Sequence, residues 1–267
     1  FLFMKKTLIA LAVATSAVVS GSVFAWTPGD FNGSFEMGGQ LTPPSQTGNL
    51  WSVAVGNKVT DLNATLEAGQ KDVSINVTNA IGILGIRPTE NEMFNGQVGI
   101  TPQISYGSAV NLDSFAQGIG TLTLPVKSGE QDIGTLTTKI YAGGVYAKFL
   151  YRGDLSTGAS AHSTYASAAG KAFYGGVGKT GDSIDSSAKN VVSTAITFFS
   201  DITDTYQSPT GEDGQSGEFD FSRIYDELSG LYASGIKSGE KINITLNEAL
   251  SEATTWTASL PITVTYM

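Results

Sequence analysis

An all-β sandwich interrupted by a small helical subdomain is the fold that the sequence predicts, and three observations predict it. Short runs with apolar residues at every second position recur along the chain, the period of strands with one buried face. Turn formers separate the runs at Pro43-Pro44, Glu67-Ala-Gly69, Arg87-Pro88, Lys127-Ser-Gly129 and Ser238-Gly239. Between about Gly143 and Gly235 the strand rhythm gives way to helical spacing.

Taken in order, residues 4–25 hold Lys5-Lys6, an apolar run from Leu8 to Val19 and the small-x-small site Val23-Phe24-Ala25. That is the layout of a secretory signal peptide, so residues 1–25 are expected to be removed, with Met4 as initiator and Trp26 as the mature start. The apolar run is too short to span a membrane, and export in soluble form is expected. Next, Phe31, Gly33, Phe35, Met37, Gly39 and Leu41 alternate with Asn32, Ser34, Glu36, Gly38 and Gln40. Residues 26–42 therefore carry a strand whose apolar face must be buried somewhere. Further strands are expected at 50–55, 73–77, 81–86, 103–106, 121–126, 134–141, 242–246 and 256–266, all within a domain at 43–267. Inserted in it, at about 143–235, two short helices are expected. One carries Val191, Val192, Ala195, Ile196 and Phe199; the other carries Phe221, Ile224, Tyr225, Leu228, Leu231 and Tyr232, with Asp220 placed to cap it. The polar, Gly-rich stretch 201–217 between them reads as an exposed mobile loop.

Composition excludes several classes. There is no cysteine, so disulfides, thiol chemistry and cysteine zinc sites are absent. Loss of Lys5 and Lys6 takes the 15 basic residues to 13 against 24 acidic ones, a net charge of about −11, which disfavours nucleic acid. A relay through the one histidine, His162, would need Asp154 or Asp182 beside it, and a solvated histidine is the expectation. Ser163 sits in no Gly-x-Ser-x-Gly elbow. Gly178-Lys179-Thr180 mimics the end of a phosphate loop, but Phe173 stands where that motif needs glycine. Around Asp213-Gly214 the alternating ligands of a calcium loop are missing. No enzyme, metal or cofactor is expected.

Aromatic residues crowd the stretch after Tyr141, interleaved with polar ones. Sugars bind by stacking a ring face on an aromatic while polar groups take the hydroxyls, so Tyr146, Lys148, Phe149, Tyr151, Arg152, Asp154, Tyr165 and Phe173 are candidate glycan contacts. The competing expectation is that these rings form the subdomain's own core.

The mature start, Trp26-Thr-Pro-Gly-Asp-Phe-Asn-Gly-Ser-Phe-Glu-Met-Gly-Gly39, resembles the N-terminus of FaeG- and ClpG-type major subunits of chaperone–usher fimbriae from enteric Gram-negative bacteria. Phe173-Tyr-Gly-Gly176, Tyr232-Ala-Ser-Gly-Ile236 and residues 256–266 look like later blocks of the same family. The resemblance implies an incomplete immunoglobulin-like sandwich, lacking its final strand and completed by donor-strand exchange. It makes Phe31, Gly33, Phe35, Met37, Gly39 and Leu41 the donor strand. It also makes Trp256, Ala258, Leu260, Ile262, Val264 and Tyr266 the C-terminal strand that a periplasmic chaperone pairs with before an outer-membrane usher joins subunits into a homopolymer. The glycine that many pilins carry near the start of that strand is replaced by Thr254. The implied product is a cell-surface fimbrium whose major subunit also binds host glycoconjugates through the inserted subdomain; the alternative is a purely structural shaft. An outer-membrane barrel is opposed by the expected helices and by the lack of regular ten-residue strands.

Overall fold

The computed structural model describes residues 50–149, 159–209 and 213–267. In the first half of the chain lie β1 (Trp51–Val55), β2 (Asp72–Asn76), β3 (Ile81–Pro88), β4 (Phe94–Asn95), β5 (Pro102–Ser105), β6 (Val110–Ala116) and β7 (Ile119–Ser128). The long β8 (Gln131–Phe149) and β9 (Ser160–Thr164) follow, then one helix, α1 (Ala188–Phe198). The chain returns through β10 (Glu227–Ile236), β11 (Lys241–Leu246) and β12 (Thr263–Tyr266).

Strand β8 is long enough, at 19 residues, to hold two partners in tandem on each edge. One edge pairs with β11 along Gly134–Thr138 and then with β10 along Tyr141–Phe149; the other pairs with β7 and then with β9. Outward from these, β3 and β1 extend the β10 side, β2 extends the β11 side, and β6 covers β7. A second sheet, β12 paired with β5, lies across one face.

The two faces of the large sheet follow from side-chain alternation. Along β8, Leu136, Ile140, Ala142 and Tyr146 enter the main core, which β5 and β12 help to close, whereas Val145, Ala147 and Phe149 enter a second cluster under α1. Strand β10 divides likewise, Leu228, Tyr232 and Ile236 to one side, Leu231 and Ala233 to the other. Helix α1 starts at Ser187, whose side chain accepts from Asn190 N at 3.2 Å, and Asp213 adds a carboxylate on Ser187 Oγ at 2.7 Å and Lys189 N at 3.2 Å. Anionic oxygen at this end suits the helix dipole. Its buried face, Ala188, Val191 and Ala195, packs on Val145, Ala147, Leu231 and Ala233, with glycines where the approach is closest. A Cβ at Gly143 would come within 2.8 Å of Val191 Cγ1, one at Gly85 within 3.1 Å of Phe199, and one at Gly235 within 2.5 Å of Phe198.

Most expected strands are present, and the differences have physical causes. The expected helix over residues 221–232 is a turn followed by β10, which is buried on both faces. Leu228, Leu231 and Tyr232 meet helical spacing and also lie in a strand buried on both faces, so periodicity alone cannot separate the two. The ends of the 143–235 segment are likewise the second half of β8 and β10, strands of the large sheet. Arg87-Pro88 does not turn the chain: Pro88 ends β3 opposite Trp51, next to the edge strand, where a missing N–H is tolerated. Ile196, assigned to the helix stripe, is 42% exposed. Within 201–217, Ile202 and Tyr206 are buried beneath α1, so that part of the stretch is anchored.

Replacing Gly143 by valine forces α1 off its floor. The expected loss is about 1–3 kcal/mol, the usual range for an overpacked site, measured by denaturant unfolding of the purified subunit.

Candidate functional site: an open apolar trough

The C-terminal residues form the wall of the site. From Thr254 to Met267 every even-numbered residue is half-buried and every odd-numbered one is exposed. Trp256, Ala258, Leu260, Ile262, Val264 and Tyr266 thus share one face. Only part of this strip is laddered among the described residues: β12 pairs with β5, and Thr257 exchanges two backbone bonds of 2.8 Å with Lys127. Between them, Ala258 to Ile262 enter no ladder among the described residues.

Beside this strip the sandwich is open. A trough of about 550 Å³ is lined by Leu122, Leu124, Leu136 and Ile242 from the sheet, by Trp256, Leu260 and Ile262 from the C-terminal strip, and by Val59 and Leu62 from the far wall. A second lobe of about 630 Å³ continues past Trp256 over Val126, Ile133, Ile244 and Leu246, with Leu66 on the far wall. Asn63, Thr254 and Trp256 border both lobes. Apolar side chains in two lobes, walled by a strand with an unladdered stretch, suit an extended peptide that alternates apolar and small residues.

Tyrosines bind the sandwich together behind the trough. Tyr106 Oη lies 2.9 Å from Tyr232 Oη and 2.7 Å from Ser234 Oγ, and the Tyr232 hydroxyl donates to the Gly176 carbonyl at 3.0 Å. Burial pushes the Tyr106 phenol up to about 12, against hydrogen bonds from Ser234 and Tyr232 that lower it, and burial also holds Tyr232 well above its ordinary value.

The candidate glycan contacts do not assemble into one open site. Phe173 is fully buried among Trp51, Phe221 and Tyr232, and Phe149 is buried under α1, so neither ring face can receive a sugar. Tyr146 is sandwiched between His162 at 4.7 Å and Phe219 at 4.1 Å, both stacked. Lys148 is half-buried and paired with Asp226 at 3.0 Å, and Tyr165 is half-buried. Tyr151, Arg152 and Asp154 lie outside the described residues, as do the signal peptide and Phe31, Gly33, Phe35, Met37, Gly39 and Leu41. His162 is not the solvated histidine expected. Its Nδ1 lies 2.9 Å from Gln215 O and its Nε2 2.5 Å from Ser160 Oγ, and no carboxylate bonds it among the described residues. Ser163 is buried and donates to the Asp185 carbonyl.

Sequence reasoning missed the trough's floor. The runs holding Leu122, Leu124, Leu136 and Ile242 are legible as strands; which of them border a gap depends on sheet order, for which one sequence carries no signal.

Among the described residues the site is thus an apolar trough walled by the C-terminal strip, with no cluster of catalytic groups along it. A family model described as "Fimbrial, major and minor subunit" matches residues 4–267. The chain is 31% identical to the K88 fimbrial protein AD of Escherichia coli, over 98% of this chain and 100% of that protein. It is 31% identical, with the same coverage, to the F41 fimbrial protein of Escherichia coli, and 30% identical to the K88 fimbrial protein AB. The chain belongs to the K88 fimbrial family, a family of fimbrial subunits and not of enzymes.

The buried Tyr106 phenol makes the fold sensitive to alkali. An unfolded chain ionises its tyrosines near 10.0 whereas folded Tyr106 holds its proton to about 12, so stability should fall as pH rises through that interval. In Tyr106→Phe the melting temperature should drop at neutral pH, through lost hydrogen bonds, and decline less steeply above about pH 10. Thermal unfolding from neutral pH to about pH 12 checks both.

Proposed function

We propose that this subunit polymerises by donor-strand exchange, with residues 26–42 of one copy filling the trough of the next. The observation that carries the reading is the open two-lobed trough beside the half-laddered C-terminal strip. Phe31, Phe35, Met37 and Leu41 supply four apolar side chains on one face, with Gly33 and Gly39 allowing close backbone approach. Burying these side chains returns less free energy than ordering the strand costs, so the inserted strand must also pair with the backbone of Ala258 to Ile262. Before exchange, a periplasmic chaperone holds the same strip, Trp256 to Tyr266, and an outer-membrane usher hands the subunit on to the surface fibre. An exposed trough and an open edge explain the need for such a partner, since a free subunit would aggregate.

Phe35→Arg, which drives a charge into the trough, should leave chaperone binding intact and abolish fibre growth. Long fibres of this variant in electron micrographs would refute the donor-strand assignment.

We also propose that the fibre binds host glycoconjugates through the segment inserted between β8 and β10, many weak sites giving avidity. Support comes from its position: α1 and its cluster lie on the sheet face opposite the trough, so a filled trough leaves them uncovered. With Phe149 and Phe173 buried, the contacts fall to Lys148, Tyr151, Arg152, Asp154, Tyr165 and the Tyr146 edge. A monomer whose residues 26–42 are moved to its C-terminus, tested on a glycan array, should bind a defined sugar class. Silence from a well-folded monomer would favour a purely structural shaft.

A further inference from the structure

Strand β5 is held from both sides, and the two sides belong to different parts of the molecule. On one side it pairs with β12 at four positions, and the ladder continues as Thr101 and Met267 exchange bonds of 3.0 and 3.1 Å. On the other side it is locked to the turn at residues 170–176. Phe173 N donates to Pro102 O at 2.9 Å, and Ile104 N donates to Tyr174 O at 2.8 Å. The buried Gln103 carboxamide accepts from Gly170 N at 2.9 Å and donates to Lys171 O at 3.0 Å. Gly175 packs so closely on the Ile104 carbonyl that a Cβ there would overlap it, and Phe173 is bent to a φ of 60°, a conformation that a side chain rarely adopts. The turn in turn anchors the segment after residue 213: Ala172 N donates to Phe219 O at 2.7 Å and Ser167 N to Glu218 Oε1 at 2.6 Å.

We propose that β5 acts as a strut that couples the filling of the trough to the order of the 170–176 turn and the 213–221 segment docked on it. This rests on the reading of the trough as a strand acceptor. The element with two states is the C-terminal strip. Its 258–262 stretch has no ladder among the described residues, and its opening would loosen β12 and, through β12, one whole side of β5. With a strand inserted, the strip is held along its length and that opening is suppressed. The strained backbone at Phe173 survives only while β5 is held, so the turn is where a loosened β5 is felt first. A filled fibre would then present a more rigid insertion than a free subunit, a coupling that needs no change of shape.

Hydrogen exchange on dilute full-chain subunit freshly released from its chaperone, with and without excess peptide spanning residues 26–42, tests this. The peptide should slow exchange at 254–266 and also, by about tenfold or more, at 101–105 and 170–177, while α1, on the far face of the sheet, is unchanged. Slowing confined to 254–266 would overturn the strut and leave the trough reading standing. No slowing at 254–266 would overturn both. In Gln103→Met, which removes the bonds to Gly170 and Lys171, the peptide should still protect 254–266 and no longer protect 170–177; retained protection there would also overturn the proposal. Should that variant fail to fold, Gly170→Ala, strained at a φ of 87°, loosens the same turn from its own side and leaves every β5 side chain in place, and the same two outcomes decide.

Discussion

Strand β8 carries four partner strands on its two edges, and near Tyr141 it passes from one wet face to two buried ones. Every other arrangement depends on that passage. Before it, Thr135, Thr137 and Lys139 face solvent while Leu136 and Ile140 form the floor of the main core. After it, α1 lies over what would have been the solvent face, packed on Val145 and Ala147, and Gly143, Gly85 and Gly235 leave room for Val191, Phe199 and Phe198. One strand thereby supports both the half of the sheet that floors the trough and the half on which the helix docks.

The same passage explains which elements are legible in the sequence. Strands β7 and β11 and the first half of β8 wet one face, so alternation announces them. The second half of β8 and all of β10 are buried on both sides, and Leu228, Leu231 and Tyr232 then fit a helix as well as a strand. What separates the two is the sheet on either side, a tertiary fact. Val191 and Ala195 are legible as one face of a helix because α1 has a solvent side.

Site residues divide along a similar line. The strip from Trp256 to Tyr266 is legible as an alternating strand, and its half-buried and exposed positions match that alternation residue by residue. The aromatic stretch is not legible, because an aromatic in sequence carries no mark of whether its face is open. Phe173 and Phe149 are core, and Tyr146 is spent on His162 and Phe219. The buried hydrogen-bond chain of Tyr106, Tyr232 and the Gly176 carbonyl is equally silent in sequence, since its members come from three distant segments.

Two tryptophans among the described residues stand in opposite surroundings. Trp51 is sealed in the core against Phe94 and Phe221, with its indole N–H donating to Ile100 O at 2.7 Å. Trp256 is half-buried at the border between the two lobes of the trough. Those two are optical probes of different things, beside the third tryptophan of the sequence, Trp26. The emission of Trp51 follows the folding of the sandwich, and that of Trp256 follows the polarity of the space beside it.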